Sequence, residues 1–168
     1  MNPSYFRIKL PKDEAISRLT SWLNSERKFK LIETDSIKAI NLACNENGTW
    51  KSLDSVFLYE NEGWTVFEDL TGGYSGVPSK SWLNFAQKES FVFAGYNDAI
   101  CYGELIVIED GKIIREFLED QEREEYNKDV GELSFEKELP IESWREVADF
   151  VDNDDLAFLE YGWLLIQE

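Results

Sequence analysis

Any chemistry in this chain has to be done by carboxylates, lysines, tyrosines and hydroxyls, because the 168 residues contain no histidine. Without an imidazole there is no Ser-His-Asp or Cys-His pair, no histidine general base and no histidine-ligated zinc. The two cysteines, Cys44 and Cys101, lie far apart in sequence and in no CxxC spacing. That excludes thiolate zinc sites, and the pair reads as two buried, reduced, small hydrophobes.

Four segments still hold residue types that do chemistry elsewhere. Gly72-Gly73-Tyr74-Ser75-Gly76 is glycine-rich but fits neither GxxxxGK[ST] nor GxGxxG, and its acidic surroundings would repel a phosphate; it reads as a turn. Asp152-Asn153-Asp154-Asp155 begins like a calcium loop. The sixth position of such a loop must be Gly and the twelfth Glu, and here they are Ala157 and Trp163. Glu104 and Glu116 flank Asp110-Gly111 and can be cross-strand neighbours, the arrangement an acid–base pair needs. With 34 acidic residues such pairs abound, so no catalytic, metal or cofactor residue is assigned and no enzyme is expected. The fourth segment is 119–129, an acidic run holding Tyr126.

These residues must be positioned by an α+β fold. Tyr5 to Leu10 alternates as a half-buried strand does, and Pro11 opens a helix in which Ala15, Ile16, Leu19, Trp22 and Leu23 recur at helical spacing. Phe29 to Thr34 fits a second strand. Residues 36–50 are ambiguous, with a helical rhythm in Ile37, Ile40 and Ala43. Ser55–Glu60 and Trp64–Asp69 form one hairpin, and Gly103–Glu109 and Lys112–Leu118 form another about Asp110-Gly111. A short helix surrounds Trp82, Phe85 and Ala86; Ser90 to Ala94 is another strand. Residues 119–129 read as a solvated loop or frayed helix. Pro140 starts an amphipathic helix with Ile141, Trp144, Val147, Ala148 and Val151 on one face, and a last strand ends at Ile166. The sum is a single α+β domain over residues 1–168, a mainly antiparallel sheet with about three packed helices.

Charge then narrows the function. Of 17 Lys/Arg and 34 Asp/Glu, the first 51 residues hold 9 and 6, leaving 8 and 28 for the rest. A folded, aromatic-rich body that keeps so much like charge sets up a strong negative field, which suits a basic partner and repels nucleic acid and membrane surfaces. With no secretory signal at residues 1–7 and no long apolar run, the chain reads as cytoplasmic.

In size, acidity and its mixture of short strands with Trp-bearing helices, the chain resembles bacterial immunity proteins of polymorphic-toxin and contact-dependent inhibition systems. The resemblance implies a non-catalytic inhibitor that caps a basic, nuclease-type toxin domain. The expected contacts are Glu119, Asp120, Glu122, Glu124, Glu125, Tyr126 and Asp129, with Asp152, Asp154 and Asp155 as a second patch. The carboxylates would meet Lys/Arg of the partner, and Tyr126 would fill a pocket. A non-catalytic regulatory interaction domain and a carboxylate enzyme using a divalent metal are the alternatives that the residues leave open.

Overall fold

Long apolar runs and polar-alternating runs take different places in one antiparallel sheet. The computed structural model describes residues 3–153 and 161–168. In chain order the elements are β1 (Ser4–Ile8), α1 (Lys12–Asn24), β2 (Phe29–Thr34), α2 (Ser36–Ala43), β3 (Val56–Asn61), β4 (Trp64–Asp69) and α3 (Ser79–Ala86). They continue with β5 (Phe91–Asn97), β6 (Tyr102–Glu109), β7 (Lys112–Asp120), β8 (Lys128–Gly131), α4 (Trp144–Asn153) and β9 (Gly162–Gln167). The nine strands form one sheet in the order β2-β9-β3-β4-β1-β5-β6-β7-β8. Every pairing is antiparallel, and four helices pack on the sheet, so the α+β class expected from the sequence holds.

Helices cover both faces, which is why the central strands read as unbroken apolar runs. Along β5, Phe91 and Phe93 turn to one core while Val92 and Ala94 turn to the other; along β6, Ile106 and Ile108 oppose Leu105 and Val107. One core takes Ala15 and Leu19 of α1 and Trp82, Phe85 and Ala86 of α3. The other takes Ala39 and Ala43 of α2 and Val147 and Val151 of α4. Trp82 is fully buried at the centre of the first, with the rings of Phe6 and Trp22 each 5.0 Å away. Rings at such offsets add attraction beyond the area they bury.

The turns obey their residue types. Glu62-Gly63 and Asp110-Gly111 both have positive φ at both positions, the conformation whose twist matches a two-residue hairpin. Segment 36–50 resolves into α2, whose first turn is capped by the Asp35 carboxylate accepting from the Lys38 N–H at 2.8 Å.

Two expectations are corrected. The last helix begins at Trp144, not at Pro140. Ile141 lies in the preceding segment, where its N–H meets Glu136 and its carbonyl meets Arg115, while Glu119 accepts the Trp144 N–H. Segment 119–129 is neither loop nor frayed helix throughout: β7 runs to Asp120, a 3-10 turn spans Glu124–Tyr126, and β8 begins at Lys128. The cause is the buried Arg115, which donates to Asp129 on β8 at 2.7 Å and to both carboxylate oxygens of Glu136. The cysteines are both free and only half-buried.

Candidate functional site

Antiparallel register decides which side chains of β6, β7 and β8 share a surface. Tyr102 stands opposite Asp120, Glu104 opposite Leu118, Ile106 opposite Glu116, and Lys128 opposite Leu118 from the far side. Side chains two apart on a strand lie on the same face, so Tyr102, Glu104, Glu116, Asp120 and Lys128 all project toward the α3 side. Glu104 and Glu116 are therefore diagonal neighbours, not a directly opposed pair. With Val77, Pro78 and Ser79 before and at the start of α3, and with Arg123 and Tyr126 from the β7–β8 turn, they line a cleft of 340 Å³.

Glu104 is the unusual member. It is 4% exposed, and its Oε2 accepts from the Tyr102 hydroxyl at 2.6 Å and from the Gly76 N–H at 3.0 Å. Among the described residues no cation forms an ion pair with it. Burial therefore pushes its carboxyl up to about 7, against the pull of those two hydrogen bonds. The same burial, with Glu104 alongside, drives the Tyr102 phenol upward as well. The other two carboxylates are paired: Glu116 with Lys128 at 2.8 Å, and Asp120 with Arg123 at 3.0 Å.

The glycine-rich loop is occupied by the chain's own carboxylates. Asp69 accepts from the N–H groups of Thr71, Gly72 and Tyr74 at 3.1, 2.9 and 3.0 Å, and from the Ser4 hydroxyl, while Gly76 serves Glu104. Its amides point at anions, as such loops do, but the anions are internal.

The expected contact residues divide by what their carboxylates already do. Asp120 is buried and holds the turn, accepting from the N–H groups of Glu122 and Arg123, while its own N–H donates to the Asn127 side chain at 2.8 Å. Glu119 caps α4, Asp129 pairs with Arg115, and Asp152 accepts from the Tyr96 hydroxyl at 3.2 Å. Glu122, Glu124 and Glu125 are exposed, with no ion pair among the described residues. Tyr126 is 56% exposed with the Arg123 guanidinium 5.6 Å from its ring centre. Asp154 and Asp155 lie outside the described residues.

A second hollow, of 690 Å³, is lined by Phe135, Leu139, Pro140, Ile141 and Phe150 together with the acidic Glu142, Glu146 and Asp149. Among the described residues no three acidic or cysteine side chains converge as a metal site requires, and no helix is long and apolar enough to cross a membrane. Sequence reasoning missed the cleft as a unit. Its signal was Glu104, the lone charge in the apolar run Tyr102–Ile108, where an unpaired carboxylate costs free energy unless something is gained from it. Comparison with protein-family models, with curated proteins and with solved structures finds no match to this chain.

Proposed function

We propose that this chain is an immunity-type inhibitor that binds a basic toxin domain, of the nuclease class, through the β7–β8 turn. The observation that carries the reading is the state of that turn. Glu122, Glu124 and Glu125 are exposed and lie within four residues of the exposed Tyr126, and none of the three forms an ion pair among the described residues. An aromatic anchor set among free carboxylates is complementary to the Lys/Arg surface with which a nuclease holds phosphates. The hollow beside α4, lined by apolar and acidic side chains, offers a second contact of the same chemistry. The turn's own geometry is held by Asp120 and Asn127, so it is presented preformed and little ordering entropy is lost on binding. The proposed site of action is the cytoplasm.

The test is growth rescue followed by kinetics. The product of the adjacent reading frame is expressed inducibly with and without this chain; arrest relieved only by this chain is the expected result. Reversing Glu122, Glu124 and Glu125 to Lys should then slow association by tenfold or more at low salt, as expected when electrostatic steering is lost, and leave the melting temperature nearly unchanged. A harmless neighbour, or an association rate indifferent to both the reversal and the ionic strength, overturns the reading.

A further inference from the structure

The cleft beneath the turn holds three carboxylates and two cations. Lys128 is taken by Glu116 and Arg123 by Asp120, so Glu104 is the one acid left without a counter-charge. The hydrogen bonds it accepts from Tyr102 and Gly76 both go to Oε2, and Oε1 has no partner among the described residues. Lys128 engages Oε1 of Glu116, whose second oxygen is likewise free among the described residues. Around these oxygens the walls are apolar or aromatic: Val77, Pro78, Ile106, Leu118 and the ring of Tyr126. The Arg123 guanidinium rests 5.6 Å from the centre of that ring.

From this arrangement we propose that the cleft is a receptor for an alkylguanidinium group, with Glu104 Oε1 as its acceptor and the apolar walls sheathing the alkyl stem. The volume, 340 Å³, falls at the small end of the roughly 300–1,000 Å³ typical of ligand pockets, which suits one long side chain. A guanidinium fits better than a metal ion because only two carboxylate oxygens are free among the described residues, and Arg123 and Lys128 share the lining with apolar side chains. It fits better than an ammonium because a planar fork engages two acceptors at once. The proposal rests on the function proposed above only for the source of the group, which is then an arginine of the basic partner entering beneath the exposed turn. Binding restores neutrality to a buried site that otherwise holds one uncompensated carboxyl.

Ligation is coupled to a proton. The charged and titratable groups facing Glu104 are Tyr102 beside it, Glu116 and Asp120 from β7, Arg123 from the turn and Lys128 from β8. The α3 side brings Pro78 and Ser79 with no charge. A cation favours ionised Glu104, whose carboxyl burial holds up at about 7, so affinity should rise from pH 5.5 to pH 8 by about thirtyfold.

The probe is N-acetyl-arginine methylamide, titrated into the full chain and followed by the amide resonances of Gly76 and Gly103; its neutral isostere N-acetyl-citrulline methylamide is the control. Expected is a saturable shift of the Gly76 amide with a dissociation constant on the order of 1 mM at pH 8, about thirtyfold weaker at pH 5.5. Citrulline should give none. Glu104→Gln should weaken the arginine probe at least tenfold while keeping the native spectrum, and Tyr126→Ala, on an exposed residue, should weaken it severalfold. No saturable shift, equal response to citrulline, or unchanged binding by Glu104→Gln overturns the proposal. The titration contains no partner, so failed growth rescue beside a positive titration overturns the toxin reading alone. Rescue without probe binding overturns the cleft alone.

Discussion

Replacing Glu104 by Gln should make the protein much more stable at pH 8 and only slightly more stable, by under about 1 kcal/mol, at pH 5. The carboxamide oxygen can still accept from the Gly76 N–H and the Tyr102 hydroxyl, so the hydrogen bonds survive and only the ionisation is removed. In the native state burial pushes this carboxyl up to about 7 from its ordinary 4.5. Between those values the folded protein holds a proton that the unfolded chain has released. The contribution of neutral Glu104 is therefore complete below pH 4.5 and is lost as pH rises through about 7. A shift of that size corresponds to about 3 kcal/mol, and for a chain of this length roughly 6–12 °C in melting temperature. Glu68 on β4 is also pushed up to about 7 by burial, but it is common to both proteins and cancels in the difference. The assay is urea unfolding of wild type and variant at half-unit steps from pH 5 to 8.5. The two stability curves should lie within about 1 kcal/mol of each other at pH 5, separate as the pH rises toward 7 while only the unfolded chain's carboxyl ionises, and run parallel above about 7. A gap that does not depend on pH, or a variant less stable at pH 8, would refute the claim that burial without a counter-charge governs this residue.

Two further substitutions test the scaffold around the site. Arg115→Ala should cost about 3–5 kcal/mol in chemical denaturation, because it leaves the buried Glu136 without its guanidinium and releases Asp129 on β8; a loss under about 1 kcal/mol would show that β8 is held by other means. Gly103→Ala should destabilise by roughly 1–3 kcal/mol, since the new Cβ would lie 2.6 Å from the Trp144 Cα and force α4 off the sheet. Amide exchange should then quicken in α4 before it does in β5, and uniform quickening would speak against that route.

Much of the architecture follows from local patterns. The Asp110-Gly111 hairpin, the helix after Pro11 and the alternation in β1 are set by turn chemistry and by side-chain period, which need only neighbours in sequence. Composition alone removed histidine chemistry and placed the negative charge in the later two-thirds of the chain. What local pattern could not convey is where charges meet partners distant in sequence. Strand β8 exists because Arg115 reaches Asp129 and Glu136, and α4 starts at Trp144 because Glu119 on another element accepts its N–H. The Asp120 carboxylate looked like surface charge in a run of acids, yet it is buried and organises the turn, leaving Glu122, Glu124 and Glu125 exposed and without an ion pair among the described residues. Glu104 was visible in sequence as one acid among apolar neighbours. Only packing of the segment before α3 against β6 and β7 decided that it would be buried, bonded through a single oxygen and without a counter-charge, because desolvation depends on every element that covers a residue.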